Sequence, residues 1–217
     1  MLLSQHIAMQ SNPTLYYIHD PMCSWCYAFR PVWTEIQQQL DTSVSVQYIL
    51  GGLAPDSDQP MPPETRAYIQ NQWCKIIQTV PDTLFNFAFW EQCQPVRSTY
   101  PACRAVLLAR QQGKEYEIAM IHAIQDAYYQ QARNPSDRTT LCTLAQRIGL
   151  DFDVFTSALD DDTTQQALLA DIRFARSIGG NSFPSLFLQQ NDKIQSIPHH
   201  YTDTAKVLRT IEEALAR

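Results

Sequence analysis

The chain has 217 residues and a formal net charge of −6 at pH 7, from 16 Lys and Arg against 22 Asp and Glu. Hydrophobic residues make up 45% and charged residues 18%, which excludes the composition of a disordered chain. The acidic balance, without a basic run, excludes the phosphate attraction on which most nucleic-acid binding depends. Since no apolar run approaches the ~18 residues of a membrane span, we expect a folded protein with neither nucleic acid nor a membrane as partner.

The expected compartment follows from the N-terminus and the cysteines. Residues 1–6 lack the basic flank and the unbroken apolar core of a secretory signal, so we expect a cytoplasmic protein. In that reducing compartment the six Cys residues should be free thiols. A closely spaced pair there is more often catalytic or metal-binding than structural.

The first part of the chain predicts a strand, a helix and a second strand. Residues 14–19 form an apolar, aromatic and β-branched run between turn formers, which is typical of a buried strand. Residues 23–40 have apolar positions at three- and four-residue steps, which predicts a helix. Residues 43–50 then alternate as a strand and end at a Gly-Gly pair. This order predicts a βαβ unit with parallel strands.

The middle of the chain predicts helices, each ended by a Pro, Gly or Asn-Pro signal. The patterns cover residues 65–80, 101–112, 114–131, 140–148, a short piece through 155, and 164–178. Strand character returns at residues 185–188 and 193–197 as a hairpin, and a helix over 204–216 closes the chain. We therefore expect an α/β protein in three parts. They are an N-terminal half (1–60), a helical insertion with its return helix (61–178) and a C-terminal half (179–217).

A C-x-x-C motif, Cys23 to Cys26, lies at the junction of the first strand and the first helix. Six cysteines produce this spacing by chance about 14% of the time, so its context matters more than its spacing. Cys23 falls at the predicted helix start, where unpaired backbone N–H groups and the helix dipole favour a thiolate. Cys26 lies one turn inside. We expect Cys23 to attack a substrate disulfide and Cys26 to resolve the mixed disulfide.

Other candidate site residues flank this motif or precede the third strand. Pro184 follows two glycines and begins a strand, where a cis bond is tolerated, although a trans bond stays open. His19 and Asp20 could tune Cys23 or move protons, or could simply form a strand end and a turn. Trp25 could contact substrate or could pack. A zinc site would need ligands beyond the C-x-x-C, so we expect no metal.

These residues resemble the DsbA-like branch of the thioredoxin superfamily. The Asp-Pro-Met-Cys-Ser-Trp-Cys stretch at residues 20–26, Gly-Gly-Leu at 51–53 and the segment 98–105 in the helical part carry the resemblance. Within that branch they are similar to cytoplasmic FrnE-like proteins, which are grouped with 2-hydroxychromene-2-carboxylate isomerases and kappa-class glutathione transferases. The resemblance implies a thioredoxin-like fold (βαβ, then ββα) with a large all-helical insertion.

The resemblance also implies roles for individual residues. Cys23 matches the nucleophilic cysteine, Cys26 the resolving cysteine, and Pro184 the cis-proline facing the active site, while Asp20 and His19 would support it. The substrate-binding positions are Ser24, Trp25, Ser182 and Phe183. Phe183 departs from the family pattern, because Thr, Val or Ile usually precedes the cis-proline. At this position the backbone of family members pairs with a peptide or with glutathione.

The function that this resemblance implies is that of a thiol–disulfide oxidoreductase of the protein disulfide isomerase type. Its partners would be protein or small-molecule disulfides, with glutathione as reductant or co-substrate and no tightly bound cofactor. A glutathione-dependent isomerase or transferase acting on small aromatic compounds is the alternative, although retention of both cysteines argues against it. A non-enzymatic redox sensor or binding module also stays open, as does the oligomeric state. We expect the four other cysteines to be core residues, although a redox-active pair of Cys93 and Cys103 stays open: Cys74, Cys93, Cys103 and Cys142.

Overall fold

A computed structural model describes residues 12–217, so residues 1–11, on which the expectation of no leader depends, lie outside the described residues. Within residues 12–217 the strands form one mixed sheet of order β2-β1-β3-β4. The strands are β1 (Thr14–His19), β2 (Ser45–Leu50), β3 (Ser185–Gln190) and β4 (Lys193–Ile197). β1 and β2 are parallel, and β3 is antiparallel to both β1 and β4. The predicted βαβ unit and hairpin are therefore confirmed.

β1 lies inside the sheet and is buried on both faces, because its alternate side chains enter two different cores. Leu15 and Tyr17 pack on the side of α1 (Ser24–Gln39), which also contacts α9 (Thr204–Leu215). Tyr16 and Ile18 pack on the opposite side, against a smaller cluster that includes Ala175. This double burial explains the nearly continuous apolar run of β1.

The helical insertion connects β2 to β3 and is confirmed as an all-helical segment. It contains α2 (Pro63–Thr79), α3 (Phe89–Gln92), α4 (Tyr100–Gln112), α5 (Lys114–Tyr129), α6 (Arg138–Arg147), α7 (Phe152–Ala158) and α8 (Asp162–Ser177). α8 returns to the sheet, where the Asp171 carboxylate accepts a hydrogen bond of 3.1 Å from the backbone N–H of Leu50. None of the helices in residues 12–217 is both long and apolar enough to cross a lipid bilayer.

An aromatic cluster centred on Trp73 forms the core of the insertion beside the sheet. The Trp73 ring stacks on Phe85 at 4.8 Å between centroids and meets Trp90 at 5.0 Å. Tyr128 and Tyr129 approach the Trp73 ring edge-on at 5.6 Å each. Such pairs contribute about 0.5–1.5 kcal/mol each beyond their area burial. This cluster fixes α2 and α5 relative to each other near the end of β1.

The expectation that all four remaining cysteines are core residues is wrong for Cys74. Cys103 and Cys142 are buried, Cys93 is half-buried, and Cys74 is exposed. The reason lies in the orientation of α2, which buries Trp73 and Ile76 and leaves Cys74 on its outer side.

Candidate active site

Three chain segments meet at one edge of the sheet because of its register. β1 ends at His19, which is paired with Leu50 at the end of the parallel strand β2. Ser185, at the start of the antiparallel strand β3, is paired with Ile18. The segments that follow β1 and β2 and the segment that precedes β3 therefore lie side by side. They contain the C-x-x-C motif, the Gly-Gly pair and the Ser182–Pro184 stretch.

Cys23 is the N-cap residue of α1, with extended backbone angles and a backbone carbonyl that accepts from Tyr27 at 3.0 Å. Its thiol donates to the carbonyl oxygen of Phe183, at 3.7 Å between sulfur and oxygen. Only 7% of the residue is exposed, and it borders a cavity. The first turn of α1 contains no acidic residue, so no carboxylate of that turn opposes the positive end of the helix dipole beside Cys23.

Cys26 has no exposed surface and lies behind Cys23. Burial is the main cause that raises the pKa of the Cys26 thiol well above its ordinary value, and the neighbouring Cys23 thiol raises it further. Cys26 is therefore a neutral thiol while Cys23 is free. The two sulfurs differ in solvent access as the motif predicts, and neither is in a disulfide in this structure.

The peptide bond between Phe183 and Pro184 is cis. The Phe183 ring lies directly against the backbone of Gly51, where a Cβ atom would come within 1.9 Å of the ring carbon Cε1. Only glycine leaves room for the ring at this point. The end of β2 thus helps to place Phe183, whose carbonyl faces the Cys23 thiol. Ser182 beside it is exposed.

Asp20 is fully buried, and its carboxylate joins the loop after β1 to the loop after β2 and to the first part of α4. One oxygen accepts from the backbone N–H of Met22 at 2.8 Å. The other accepts from the backbone N–H of Leu53 at 2.7 Å, from the Thr99 hydroxyl at 2.6 Å and from the Cys103 thiol at 3.5 Å. Burial raises the pKa of Asp20, and these hydrogen bonds oppose that shift. The carboxylate therefore positions the loop that carries Cys23.

His19 is buried in the core, and its ring stacks on Tyr17 at 5.1 Å between centroids. Burial, with a smaller contribution from the charge of Arg110, lowers the pKa of His19 to about 3. Neither ring nitrogen has a hydrogen-bond partner among residues 12–217. His19 is therefore neutral at physiological pH, and this environment favours a packing role over proton transfer.

Three tyrosines near the two sulfurs were not predicted as site residues. Burial raises the pKa values of Tyr17, Tyr129 and Tyr201, and the charges of Cys23 and Cys26 raise them further. Because their pKa values are raised, the three hydroxyls are neutral at physiological pH. Their sequence signal was weak because aromatic residues in apolar runs are typical of any core.

A cavity of about 220 Å³ opens beside Cys23. Residues of the thioredoxin-like part form one side, including Ser24, Trp25, Ser182 and Phe183. Trp25 is half-buried, and its indole N–H donates to Gln72 of α2 at 3.1 Å. The helical insertion forms the other side with Tyr68, Ile69, Gln72, Trp73, Arg97 and Tyr128. All four sequence-predicted substrate-binding residues therefore border the cavity, while the insertion side was not predicted.

Comparisons with known proteins agree with this fold. The model of a thioredoxin family matches residues 16–202, and the chain belongs to that family. The solved structure of a candidate protein disulfide isomerase from Nitrosomonas europaea is 29% identical, with a TM-score of 0.83, and the match covers 94% of this chain and 98% of that one. The cytosolic disulfide reductase DsbM from Pseudomonas aeruginosa is 23% identical, with a TM-score of 0.77 and the same coverage. The fold is that of the DsbA-like branch of the thioredoxin superfamily, as the resemblance implied.

Curated relatives have a different description. The ClpXP adapter protein SpxH of Bacillus subtilis is 22% identical over 191 residues, which cover 87% of this chain and 63% of SpxH. A second SpxH, from Halalkalibacterium halodurans, is matched over 59% of its length. This chain therefore spans about three fifths of the curated relatives that it matches.

Proposed function

We propose that this protein is a thiol–disulfide oxidoreductase that cycles between a Cys23–Cys26 dithiol and disulfide. The observation that carries the proposal is the arrangement of the two thiols. Cys23 caps α1, borders a cavity and faces the carbonyl of Phe183, whereas Cys26 is buried behind it with a raised pKa. One sulfur is thus available for attack and the other is held back until the first has reacted.

The cycle consists of two exchanges. The Cys23 thiolate attacks one sulfur of a substrate disulfide, so that a mixed disulfide forms and the other substrate sulfur leaves as a thiolate and takes up a proton. Cys26 then loses its proton and attacks the Cys23 sulfur, which forms the Cys23–Cys26 disulfide and releases the second substrate thiolate. The substrate gains two electrons and the dithiol loses two. Two molecules of a monothiol restore the dithiol and leave joined as a disulfide.

The proposed direction is reduction of substrate disulfides in the cytoplasm. Even a potential as high as about −120 mV, against a cytosolic poise near −220 mV, leaves roughly 100 mV or about 4.6 kcal/mol in favour of the dithiol. The similarity to a cytosolic disulfide reductase supports this compartment and direction. A structure of that reductase with glutathione, 22% identical to this chain, supports glutathione as the thiol that restores Cys23 and Cys26.

Insulin reduction with glutathione or dithiothreitol as electron donor tests the proposal. We expect turnover by the wild type and by Cys74→Ala, which removes the exposed cysteine outside the site. We expect none with Cys23→Ala. Cys26→Ala should not turn over but should accumulate a mixed disulfide through Cys23, detectable by its mass. The potential measured in glutathione buffers then distinguishes a reductase from an isomerase or oxidant.

Two outcomes would replace this proposal. Glutathione-dependent conversion of a small aromatic compound that survives Cys26→Ala would indicate an isomerase or transferase, which needs no resolving cysteine. Absence of any turnover, together with binding of a partner protein that depends on the Cys23–Cys26 redox state, would indicate a sensor or binding module. The adapter description of the SpxH relatives is the observation that keeps the second alternative open.

A further inference from the structure

The charge lining the cavity beside Cys23 is unusual for so acidic a protein. Among the described residues that line it, Arg97 is the one Lys, Arg, His, Asp or Glu. The chain as a whole has a net charge of −6. A single half-buried cation in the cavity that Cys23 also lines therefore makes this cavity locally suited to an anion.

The backbone that carries Arg97 is fixed on both sides. The carbonyl of Pro95 accepts from the N–H of Met61 at 2.9 Å, and the N–H of Thr99 donates to the carbonyl of Ala54 at 2.9 Å. The carbonyl of Ser98 accepts from the Ser136 hydroxyl at 2.7 Å. These bonds hold the Arg97 segment beside the loop that follows β2, so the position of the cation at the cavity wall is built into the fold.

Arg97 also lacks an internal partner. Some arginines form ion pairs, such as Arg30 with Asp126 at 2.7 Å and Arg110 with Glu117 at 2.7 Å, whereas exposed ones such as Arg209 form none within residues 12–217. Within residues 12–217, no carboxylate lies within ion-pair distance of Arg97. An unpaired guanidinium in the wall of a cavity that Cys23 also lines points to an acceptor that arrives with a ligand.

We propose that Arg97 binds a carboxylate of the thiol substrate and thereby selects small anionic thiols of the glutathione type over uncharged ones. This inference rests on the proposed function, in which Cys23 exchanges disulfides. The cavity of about 220 Å³ is smaller than the ~300–1,000 Å³ of sites for drug-sized ligands. It accommodates the cysteinyl group and one neighbouring carboxylate, while the rest of a tripeptide extends into solvent. Arg97 is then a specificity-determining residue of the insertion.

The test compares how fast different thiols reduce the Cys23–Cys26 disulfide in the oxidised protein. The variants are Arg97→Gln, Arg97→Lys and the control Arg209→Gln, which removes an exposed arginine of α9 that is outside the cavity. The thiols are glutathione, its dimethyl ester and uncharged dithiothreitol. The rates are followed by tryptophan fluorescence and by quenched thiol counting.

We expect Arg97→Gln to lower the second-order rate with glutathione about tenfold, as the loss of one partly exposed charge-assisted hydrogen bond predicts. The rates with the ester and with dithiothreitol should change less than about twofold. Arg97→Lys should restore part of the glutathione rate, and Arg209→Gln should match the wild type. Added salt should lower the rate at which glutathione reduces the disulfide of the wild type but not that of Arg97→Gln.

The outcome separates this inference from the proposed function. An equal loss with all three thiols, or no loss with glutathione, would overturn the role of Arg97 while leaving disulfide cycling intact. A wild-type protein that forms no Cys23–Cys26 disulfide, or whose disulfide no thiol reduces, would refute the proposed function itself.

Discussion

The cavity beside Cys23 has two sides that come from different regions of the molecule. The side formed by the thioredoxin-like part carries Cys23, the cis Phe183–Pro184 bond and Trp25. The side formed by the helical insertion carries Trp73, Arg97 and aromatic groups of α2 and α5. The first region contains the atoms that would exchange disulfides, and the second contains groups that would select among thiols. Changes in the two regions should therefore have different signatures.

The two regions are joined most directly at Asp20. Its carboxylate belongs to the loop after β1, yet it accepts from the Thr99 hydroxyl just before α4 and from the Cys103 thiol within α4. Any change that breaks this junction should affect both regions together, whereas a change confined to one side should not. The following predictions use this difference, in order of expected effect.

Asp20→Ala should give the largest effect, because it removes the acceptor shared by Met22, Leu53 and Thr99. A buried donor left without a partner costs about 1–3 kcal/mol. We therefore expect the free energy of unfolding, measured with urea, to fall by roughly 3 kcal/mol or more. We also expect slower reduction of the Cys23–Cys26 disulfide by both glutathione and dithiothreitol. If the alanine variant does not fold, the same measurements are made on Asp20→Asn, which keeps the shape of the side chain and one acceptor oxygen.

The pH dependence of the Asp20 variants gives a further check. Because burial raises the pKa of Asp20 above its unfolded value, the folded state binds its proton more tightly than the unfolded state. The stabilisation that this group contributes is then largest below the unfolded pKa and declines as the pH rises through the folded pKa. The difference in the free energy of unfolding between wild type and Asp20→Asn should therefore become smaller as the pH rises through the folded pKa of Asp20. A difference that grows instead would contradict the burial effect.

His19→Phe should have an effect that depends on pH. The pKa of His19 is about 3 in the folded state, against ~6.5 when unfolded, so the unfolded state takes up a proton that the folded state excludes. The contribution of neutral His19 to the free energy of unfolding is retained above pH 6.5 and is lost as the pH falls toward 3. At pH 4.5 the free energy of unfolding is lower by about 3 kcal/mol for this reason.

Urea unfolding of wild type and His19→Phe at pH 7 and pH 4.5 measures this effect as a double difference. The packing change between His and Phe is common to both pH values and cancels. We expect the phenylalanine variant to lose about 3 kcal/mol less than the wild type on acidification. Equal losses in the two proteins would mean that His19 accepts a proton in the folded state.

The sequence predicted the thioredoxin-like region better than the insertion, for a physical reason. The prediction was correct for the strand at residues 14–19 and for the end of the second strand, because turn-forming residues delimit short apolar runs there. The positions of Cys23 and Pro184 follow from strand register alone. By contrast, the contact of Asp20 with Thr99 spans 79 residues, and no local periodicity encodes it.

The insertion also shows where local signals end. α3 has only four residues, too few for a helical period, and it was missed. Arg97 lies outside every predicted helix, so the sequence offered no reason to place it at the site. Cys74 was predicted in the core because of its residue type, but the packing of Trp73 and Ile76 decides which face of α2 is outward. One signal for the junction did exist, since the segment 98–105 resembles family members and contains Thr99 and Cys103, the two partners of Asp20 in the insertion.

Gly51→Ala should give the smallest change in stability, and it provides the sharpest contrast with Arg97→Gln. A Cβ atom at this position would lie 1.9 Å from the Phe183 ring, so the ring must move. Overpacking of this kind costs about 1–3 kcal/mol. Because the Phe183 carbonyl faces the Cys23 thiol, the displaced backbone should slow exchange with every thiol alike. We expect glutathione and dithiothreitol rates to fall by the same factor, whereas Arg97→Gln should affect glutathione alone. If Gly51→Ala instead discriminated between these thiols, selection would not be confined to the insertion side, and the division between the two regions would be wrong.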